Sequence, residues 1–371
     1  YTLFLCYLYL AGTIFFDWIH FLLHRWSRSQ WRILRQLSRY HQYHHLYYGR
    51  LLQFNPKYSR RNARIALPFE LFCQMLGTVV GWLLARVVAM SIDARIDRRG
   101  VLLVLLTQLA RVWAVILHGG KDSNHVSYET IPKDRNWTFV GPEYHALHHH
   151  DPDKYMGSAV KLFDWVAGTA YSLRGKVVMA GDAGDLGPAL EKQLLSEGVK
   201  AIHNLDNNLP KNSPQRDLML LKPMLDDADI LILAHINPAE AGDEESDCTS
   251  TVRLIQHFLT PKAMRRRKVL PEVWYLAGTT ELSLVGGDVF TQQDCKPAQS
   301  SFLPYARSLY KCSQVTYRHI LLPASGAFGG RRNGSSDWIA GTALWWIRRG
   351  AQFIPVTCSP SVLLQFLDLL L

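Results

Sequence analysis

Three long apolar runs dominate the first third of the chain. The first covers residues 1–23, and two more follow at residues 67–90 and 101–117. A helix of about 20 apolar residues is long enough to cross a bilayer. The pattern therefore predicts three membrane-spanning helices, although charged residues interrupt the second and third runs: Glu70, Arg86 and Arg111.

After residue 174 the pattern changes to short β-branched runs that alternate with helical stretches. The runs are KVVMA at 176–180, VKAIHNLD at 199–206, ADILILAHI at 228–236 and VWYLAGTT at 273–280. Strands that alternate with helices indicate a parallel α/β sheet. We therefore predict a multi-domain chain. Residues 1–174 form an all-α, membrane-embedded helical bundle, and residues 175–371 form an α/β Rossmann-like, doubly wound parallel sheet.

Charge is distributed unevenly between these two parts. The formal net charge is +10, and residues 1–175 hold all of the excess, with 21 Lys and Arg against 11 Asp and Glu. Ten of the basic residues lie between Arg25 and Arg64, where there is no acidic residue. Basic loops beside apolar runs are typical of the cytoplasmic side of a membrane protein and do not point to nucleic acid. We expect an integral, multi-pass protein whose histidine segments and C-terminal domain face the cytoplasm.

Histidines are the chemically informative residues of the first part. Residues 1–150 contain 11 of the 15, and the pattern H-x2-H-H occurs twice, as HQYHH at 41–45 and HALHH at 145–149. A further pair, His20 and His24, is four residues apart. Imidazoles at i and i+3 or i+4 share one helix face and can bind one ion. Solvated or core histidines are the alternative, but the repetition favours two half-sites of a polynuclear metal centre.

Residues 1 to about 170 resemble the fatty acid hydroxylase superfamily, which includes the sterol desaturases. Asp17 before LLHRW, the box HQYHH and the segment from Trp137 through GPEYHALHH carry the likeness. The stretches YMGS at 155–158 and FDWVAGT at 163–169 resemble the closing motifs of that superfamily. The six cysteines form no C-x-x-C pair, so neither a cysteine zinc site nor a disulfide framework competes with this interpretation.

The resemblance implies two non-haem iron ions and O2-dependent oxidation of a lipid C–H bond, by hydroxylation or desaturation. Implied partners are a sterol, fatty acyl or related membrane lipid, and an external electron donor such as a cytochrome b5-like protein, a ferredoxin or a reductase. His44, His45, His148 and His149 are the expected catalytic histidines. The expected metal ligands are His20, His24, His41, His44, His45, His125, His145, His148 and His149.

One of these ligand assignments departs from the superfamily pattern, and another has two candidate residues. Its first box reads H-R-x-x-H, but here Arg28 stands where the second histidine belongs, and a guanidinium cannot bind a metal. We expect His20, one helical turn before His24, to supply the missing nitrogen. The superfamily also has a single histidine between the second and third boxes, for which His125 is favoured and His118 is the alternative. Candidate acceptors for imidazole N–H groups are Asp17, Asp122, Glu143, Asp151 and Asp153.

In the second half, the loop GDAGDLG places Gly181, Gly184 and Gly187 between a strand and a helix. Asp206 ends the next strand, where an acidic residue can bind a ribose hydroxyl of NAD(P). This half resembles a short-chain dehydrogenase. The whole chain is similar to bacterial proteins that are described as bifunctional sterol desaturase/short-chain dehydrogenase.

The catalytic Tyr-x-x-x-Lys of short-chain dehydrogenases is not intact in this sequence. Tyr305 and Tyr310 are followed four residues later by Leu309 and Gln314. Three functions therefore stay open. The first is a di-iron lipid oxidoreductase, the second is an NAD(P)-dependent dehydrogenase-like protein with a membrane anchor, and the third is a degenerate metal-binding membrane scaffold.

Overall fold

The computed structural model describes residues 1–93, 95–120, 122–181, 183–205, 218–234, 244–263, 269–278, 296–322 and 336–356. The chain folds as two compact units, Tyr1–Ser172 and Leu173–Leu371. The division falls two residues before the boundary expected from the change of sequence pattern at residue 174. Each unit is described separately below.

The first unit is helical. Its main helices are α1 (Thr2–Trp26), α2 (Arg32–Tyr48), α4 (Leu67–Ser91), α5 (Arg98–Leu117), α6 (Pro142–His150) and α7 (Leu162–Ala167). Between α2 and α4, a 3-10 turn (Pro56–Tyr58), the short helix α3 (Ser59–Arg61) and a π-helical turn (Asn62–Ala66) lead without a break into α4. An isolated antiparallel bridge joins Phe139 to Val160 and closes the loop that carries α6.

Three helical segments of the described residues are long and apolar enough to cross a membrane: Thr2–Trp26, Pro56–Ser91 and Arg98–Leu117. This result confirms the apolar helices expected from the hydrophobic runs. At 1.5 Å per residue, α1 is about 37 Å long, which exceeds the hydrocarbon thickness of about 30 Å. Its second half carries His20 and His24.

Small residues allow α1 and α4 to pack closely. A Cβ added at Gly77 would lie 2.4 Å from the Phe15 Cβ, and one added at Gly81 would lie 2.5 Å from the Ala11 Cβ. The Gln108 side-chain amide of α5 donates to the Thr78 hydroxyl of α4 at 2.9 Å. Close small-residue contacts and interhelical hydrogen bonds are the interactions that hold apolar helices together in lipid. They fix the helix on which two of the histidines lie.

The second unit contains a six-stranded parallel sheet, which confirms the predicted α/β class. Its strands are β1 (Lys176–Ala180), β2 (Ala201–Asn204), β3 (Ile230–Ala234), β4 (Glu272–Gly278), β5 (Thr316–Leu322) and β6 (Phe353–Pro355), in the order β2-β1-β3-β4-β5-β6. The accompanying helices are α8 (Leu186–Ser196), α9 (Leu218–Asp227), α10 (Glu244–Ala263), α11 (Lys296–Lys311) and α12 (Ser336–Ile347). The inner strands β1, β3, β4 and β5 are buried on both faces, as parallel strands covered by helices are.

The strand order belongs to the doubly wound type that begins 2-1-3-4-5. In the order 3-2-1-4-5-6, a further strand would lie beyond β2, and the described residues contain none there. The order in which strands are added to the sheet reverses between β1 and β3. The glycine loop follows the carboxyl end of β1 at this position. A Cβ added at Gly181, which has a φ of +94°, would lie 2.0 Å from the Ala234 carbonyl oxygen at the end of β3. Close approach of these two strand ends therefore requires a glycine.

Candidate metal centre

Nine histidines from four segments of the first unit converge in two groups. We define group A as the imidazoles of His20, His24, His41, His45 and His148, and group B as those of His44, His125, His145 and His149. Within each group the candidate ligand atoms all lie within 4.8 Å of one another. The groups are adjacent, because the rings of His45 in group A and His149 in group B have centroids 4.4 Å apart.

Each histidine box contributes to both groups. In HQYHH, His41 and His45 belong to group A and His44 to group B. In HALHH the assignment is reversed, since His145 and His149 belong to group B and His148 to group A. Residues four apart stay on one face of a helix, whereas the third histidine points to the neighbouring group. The boxes are therefore not separate half-sites, and α2 and α6 each supply nitrogens to both groups.

The spacing of the nitrogens fits a bound metal. Consecutive Nε2 atoms within the groups are 3.0–3.3 Å apart. A metal–imidazole bond of about 2.1 Å puts neighbouring nitrogens about 3.0 Å apart at right angles and about 3.4 Å apart in a tetrahedron. The observed spacing lies between these values and is consistent with ligands arranged around a common centre.

The other ring nitrogens fix the tautomers of several of these imidazoles. Nδ1 of His20 lies 3.2 Å from the Met156 carbonyl oxygen, and Nδ1 of His148 lies 2.8 Å from that of Lys154. Nδ1 of His41 lies 2.8 Å from a Glu70 carboxylate oxygen. Each acceptor holds the proton on Nδ1, so the Nε2 lone pairs face one another. Such lone pairs repel unless a cation lies between them, and the donor set therefore fits a metal.

Burial keeps five imidazoles of α2 and α6 in the neutral form that binds metals: His44, His45, His145, His148 and His149. Burial lowers the pKa values of His44, His45, His145 and His149, and neighbouring imidazoles lower them further. Burial also lowers the pKa of His148 to about 3. Only neutral imidazole has a lone pair for a metal. These five imidazoles can therefore bind a cation without first losing a proton.

The structure places both His20 and His125 among the candidate metal ligands. His20 lies in group A, one turn from His24, and its Nε2 is 3.2 Å from that of His24. His125 lies in group B, where Tyr48 stacks on its ring at a centroid distance of 3.6 Å. His118, the alternative to His125, is exposed at the end of α5 and belongs to neither group. His150 also lies outside both groups among the described residues.

Of the five acidic residues proposed as acceptors, Asp122 contacts the imidazole of a candidate metal ligand. Asp122 Oδ1 lies 2.6 Å from His125 Nδ1. Asp151 instead accepts from the Ser172 hydroxyl, and Asp17 is fully buried without contacting an imidazole nitrogen. Glu143 is partly buried and Asp153 is exposed. Sequence reasoning missed Glu70 and treated it as an interruption of an apolar run, yet an ionisable residue inside such a run is itself a signal of function.

Asp164 organises the polypeptide around the third box. Its fully buried carboxylate accepts hydrogen bonds from the backbone N–H groups of Met156 (2.8 Å) and Gly157 (2.6 Å). It also accepts from the hydroxyls of Tyr144 (2.8 Å) and Thr169 (2.5 Å). Tyr144 belongs to α6, and the Met156 carbonyl is the acceptor for His20. The FDWVAGT motif therefore links the third box to the segment that orients a histidine of α1.

We expect Asp164→Ala to lower the free energy of unfolding by about 3–4 kcal/mol, because it leaves several buried donors without an acceptor. Thermal unfolding of the purified protein in lipid nanodiscs measures this effect. Glu129→Gln, a change at an exposed carboxylate of the same unit, is the control and should leave the melting temperature unchanged. Equal melting temperatures for Asp164→Ala and the control would contradict the linking role.

The proposed nucleotide residues of the second unit are only partly described. Gly181 and Gly184 both have positive φ, and Gly187 has room for a Cβ at an ordinary contact distance of 3.4 Å. Asp206 lies outside the described residues. Burial raises the pKa values of Tyr305 and Tyr310, both on α11. That direction is opposite to the lowering that a lysine gives a catalytic tyrosine.

Comparison with known proteins gives two findings. Residues 4–169 match the family model of fatty acid hydroxylase, and this range includes all nine histidines of groups A and B. Monoglucosyldiacylglycerol epimerase of Synechocystis sp. is 25% identical over 251 residues, which cover 61% of this chain and 60% of that protein. The chain thus spans less than two thirds of the relative that it matches. No solved structure matches the chain.

The aligned share of the chain is larger than the first unit, so the likeness to this relative extends into the second unit. The family match ends at residue 169, three residues before the first unit ends. The N-terminal part of this chain is accordingly similar to the fatty acid hydroxylase family over residues 4–169, and a parallel α/β unit follows it.

Proposed function

We propose that the chain is a membrane-bound, lipid-modifying oxidoreductase that holds one iron ion in group A and a second in group B. The single observation that carries the proposal is the convergence of nine buried or half-buried imidazoles with Nε2 atoms 3.0–3.3 Å apart. Imidazole suits iron, and sets of five and four nitrogens leave further coordination positions on a six-coordinate ion. When bound, an iron pair supplies the redox chemistry that O2 activation at an unreactive C–H bond needs.

The side chains of this unit bind and orient the metal pair. His44, His45, His148 and His149 are the central residues of the proposal, because they lie where the two groups adjoin. Carbonyl and carboxylate acceptors at the Nδ1 atoms hold the rings of His20, His41, His125 and His148 at fixed angles. In hydroxylation, one oxygen atom enters the lipid and the other leaves as water, so two electrons and two protons are also consumed. We assign the electrons to an external donor.

A lipid substrate agrees with the position of the histidines on an apolar helix. His20 and His24 lie in the second half of α1, whose exposed surface includes Leu3, Leu10 and Trp18. An apolar chain that enters from the bilayer reaches the metal groups without crossing water. We further propose that the arginine-rich segment 25–64 lies on the cytoplasmic side, where the positive-inside rule places basic loops.

Epimerisation of a glucolipid is a second candidate function. It is favoured by the 25% identity to monoglucosyldiacylglycerol epimerase, which extends into the second unit. Epimerisation has no net oxygen uptake, so its products differ from those of a hydroxylase. A nucleotide bound at the Gly181–Gly187 loop is part of this alternative, since inversion of a carbinol carbon through a ketone requires a hydride carrier.

Reaction in an 18O2 atmosphere distinguishes these functions. Purified protein in nanodiscs is loaded with iron, supplied with a chemical reductant and given either a total lipid extract or a monoglucosyl lipid. A hydroxylase incorporates 18O into lipid, a desaturase yields a product two mass units lighter, and an epimerase inverts the hexose without 18O. His118→Ala should retain the activity and His148→Ala should lose it. No product under any condition would leave the scaffold function as the remaining interpretation.

A further inference from the structure

Glu70 is an acidic residue within an apolar helix. It lies near the start of α4, inside the candidate span Pro56–Ser91, and its side chain is 14% exposed. A carboxylate in such a segment is costly unless it is paired. Its recorded ion-pair contacts among the described residues are both with imidazoles, those of His41 and His44.

A single oxygen atom of Glu70 faces both imidazoles. Oε1 is 2.8 Å from Nδ1 of His41 and 3.5 Å from Nδ1 of His44. The two rings lie nearly parallel on α2, with an interplanar angle of 19° and centroids 5.6 Å apart. His41 belongs to group A and His44 to group B. The same carboxylate thus faces the Nδ1 atom of one candidate ligand in each group.

His44 has no recorded hydrogen-bond partner at Nδ1 in the described part of the chain, although this atom is buried. Coordination through Nε2 fixes a proton on Nδ1, and the buried N–H then needs an acceptor. Glu70 is the carboxylate that faces it. Acceptors elsewhere in the centre contact one group each: Asp122 contacts His125 of group B, and the Met156 carbonyl contacts His20 of group A.

We propose that Glu70 is a positioning residue shared by the two metal groups, which sets the metal affinity of both through His41 and His44. The inference rests on the proposed function, because it requires that groups A and B bind metal. The negative charge makes both imidazoles more basic and holds both in the Nδ1–H form. Asp122 performs the same task for group B alone, which provides a matched comparison within the chain.

Titration of the metal-free protein in nanodiscs with Co2+ as the only metal tests the proposal. Absorption bands and calorimetry report each binding step without catalysis, and the wild-type protein should bind two Co2+ per chain. Glu70→Gln, which keeps the size of the side chain, should weaken both steps by about 10- to 100-fold. Asp122→Asn should weaken one step by a similar factor and leave the other unchanged. Glu70→Asp, which restores the charge, should recover part of the affinity at both steps.

The outcomes separate this inference from the proposed function. If wild-type protein binds two Co2+ and Glu70→Gln weakens neither step or only one, the shared role is wrong while the metal centre stands. If wild-type protein binds one Co2+ or none, the two-metal proposal fails and the inference fails with it. Melting temperatures of the metal-free variants show whether each variant is folded. If Glu70→Gln does not fold, the Co2+ affinities of Glu70→Asp at both steps test the shared role instead.

Discussion

Replacing His148 with alanine is expected to remove the ion of group A while group B stays loaded, and His149→Ala is expected to do the reverse. The two residues are neighbours in the sequence, but their imidazoles belong to different groups. Loss of a direct ligand should weaken binding by more than about 100-fold, since loss of an outer hydrogen-bond partner alone costs roughly 10- to 100-fold. Lipid oxidation should disappear in both variants, because the proposed chemistry uses both ions.

Iron analysis and 57Fe Mössbauer spectra of reconstituted protein measure which of the two groups retains its ion in each variant. Each variant should retain about one iron per chain, with a different residual spectrum in each. His45→Ala should give the spectrum of His148→Ala, and His44→Ala that of His149→Ala. His118→Ala, at an exposed histidine outside both groups, should keep both ions. Identical residual spectra for His148→Ala and His149→Ala would refute the crossed arrangement of the boxes.

The metal-free protein is expected to lose stability steeply as the pH falls below about 6.5, the pKa of histidine in an unfolded chain. Burial lowers the pKa values of His44, His45, His145 and His149 in the folded protein, and lowers that of His148 to about 3. Between the folded and unfolded values, the unfolded chain binds protons that the folded imidazoles do not. Each such imidazole removes about 1.4 kcal/mol of stability per pH unit, and this stability is fully present above the unfolded pKa.

Thermal unfolding followed by tryptophan fluorescence from pH 7.5 to pH 5 measures this loss. The melting temperature of the metal-free protein should be constant near pH 7.5. At lower pH it should fall more steeply than the uptake of a single proton on unfolding would cause. Metal-loaded protein should resist acid to a lower pH, because a bound cation competes with protons for the same nitrogens. A flat profile for the chelated protein down to pH 5 would show that these imidazoles are not buried in neutral form.

The sequence by itself determined the membrane-length helices of the first unit and the parallel α/β class of the second. Hydrophobic runs of bilayer length gave α1, α4 and α5, and β-branched runs separated by helical stretches gave the parallel sheet. Both signals are local, because each depends on which residue types can be buried in one helix or strand. Local helical geometry also indicated that His41 and His45, like His145 and His149, share one face. The sequence could not describe how the second unit's glycine loop meets the end of β3.

Only the tertiary structure decided how the histidines are shared between groups A and B. The grouping depends on how α1, α2 and α6 cross, which no spacing within one helix specifies. The same packing places His20 in group A, although Arg28 stands where the superfamily has a histidine. It also places His125, and not the exposed His118, in group B. Glu70 of α4 lies beside two imidazoles of α2 for the same reason. A metal site built from four segments is a property of their packing, because each segment alone supplies too few nitrogens to hold an ion.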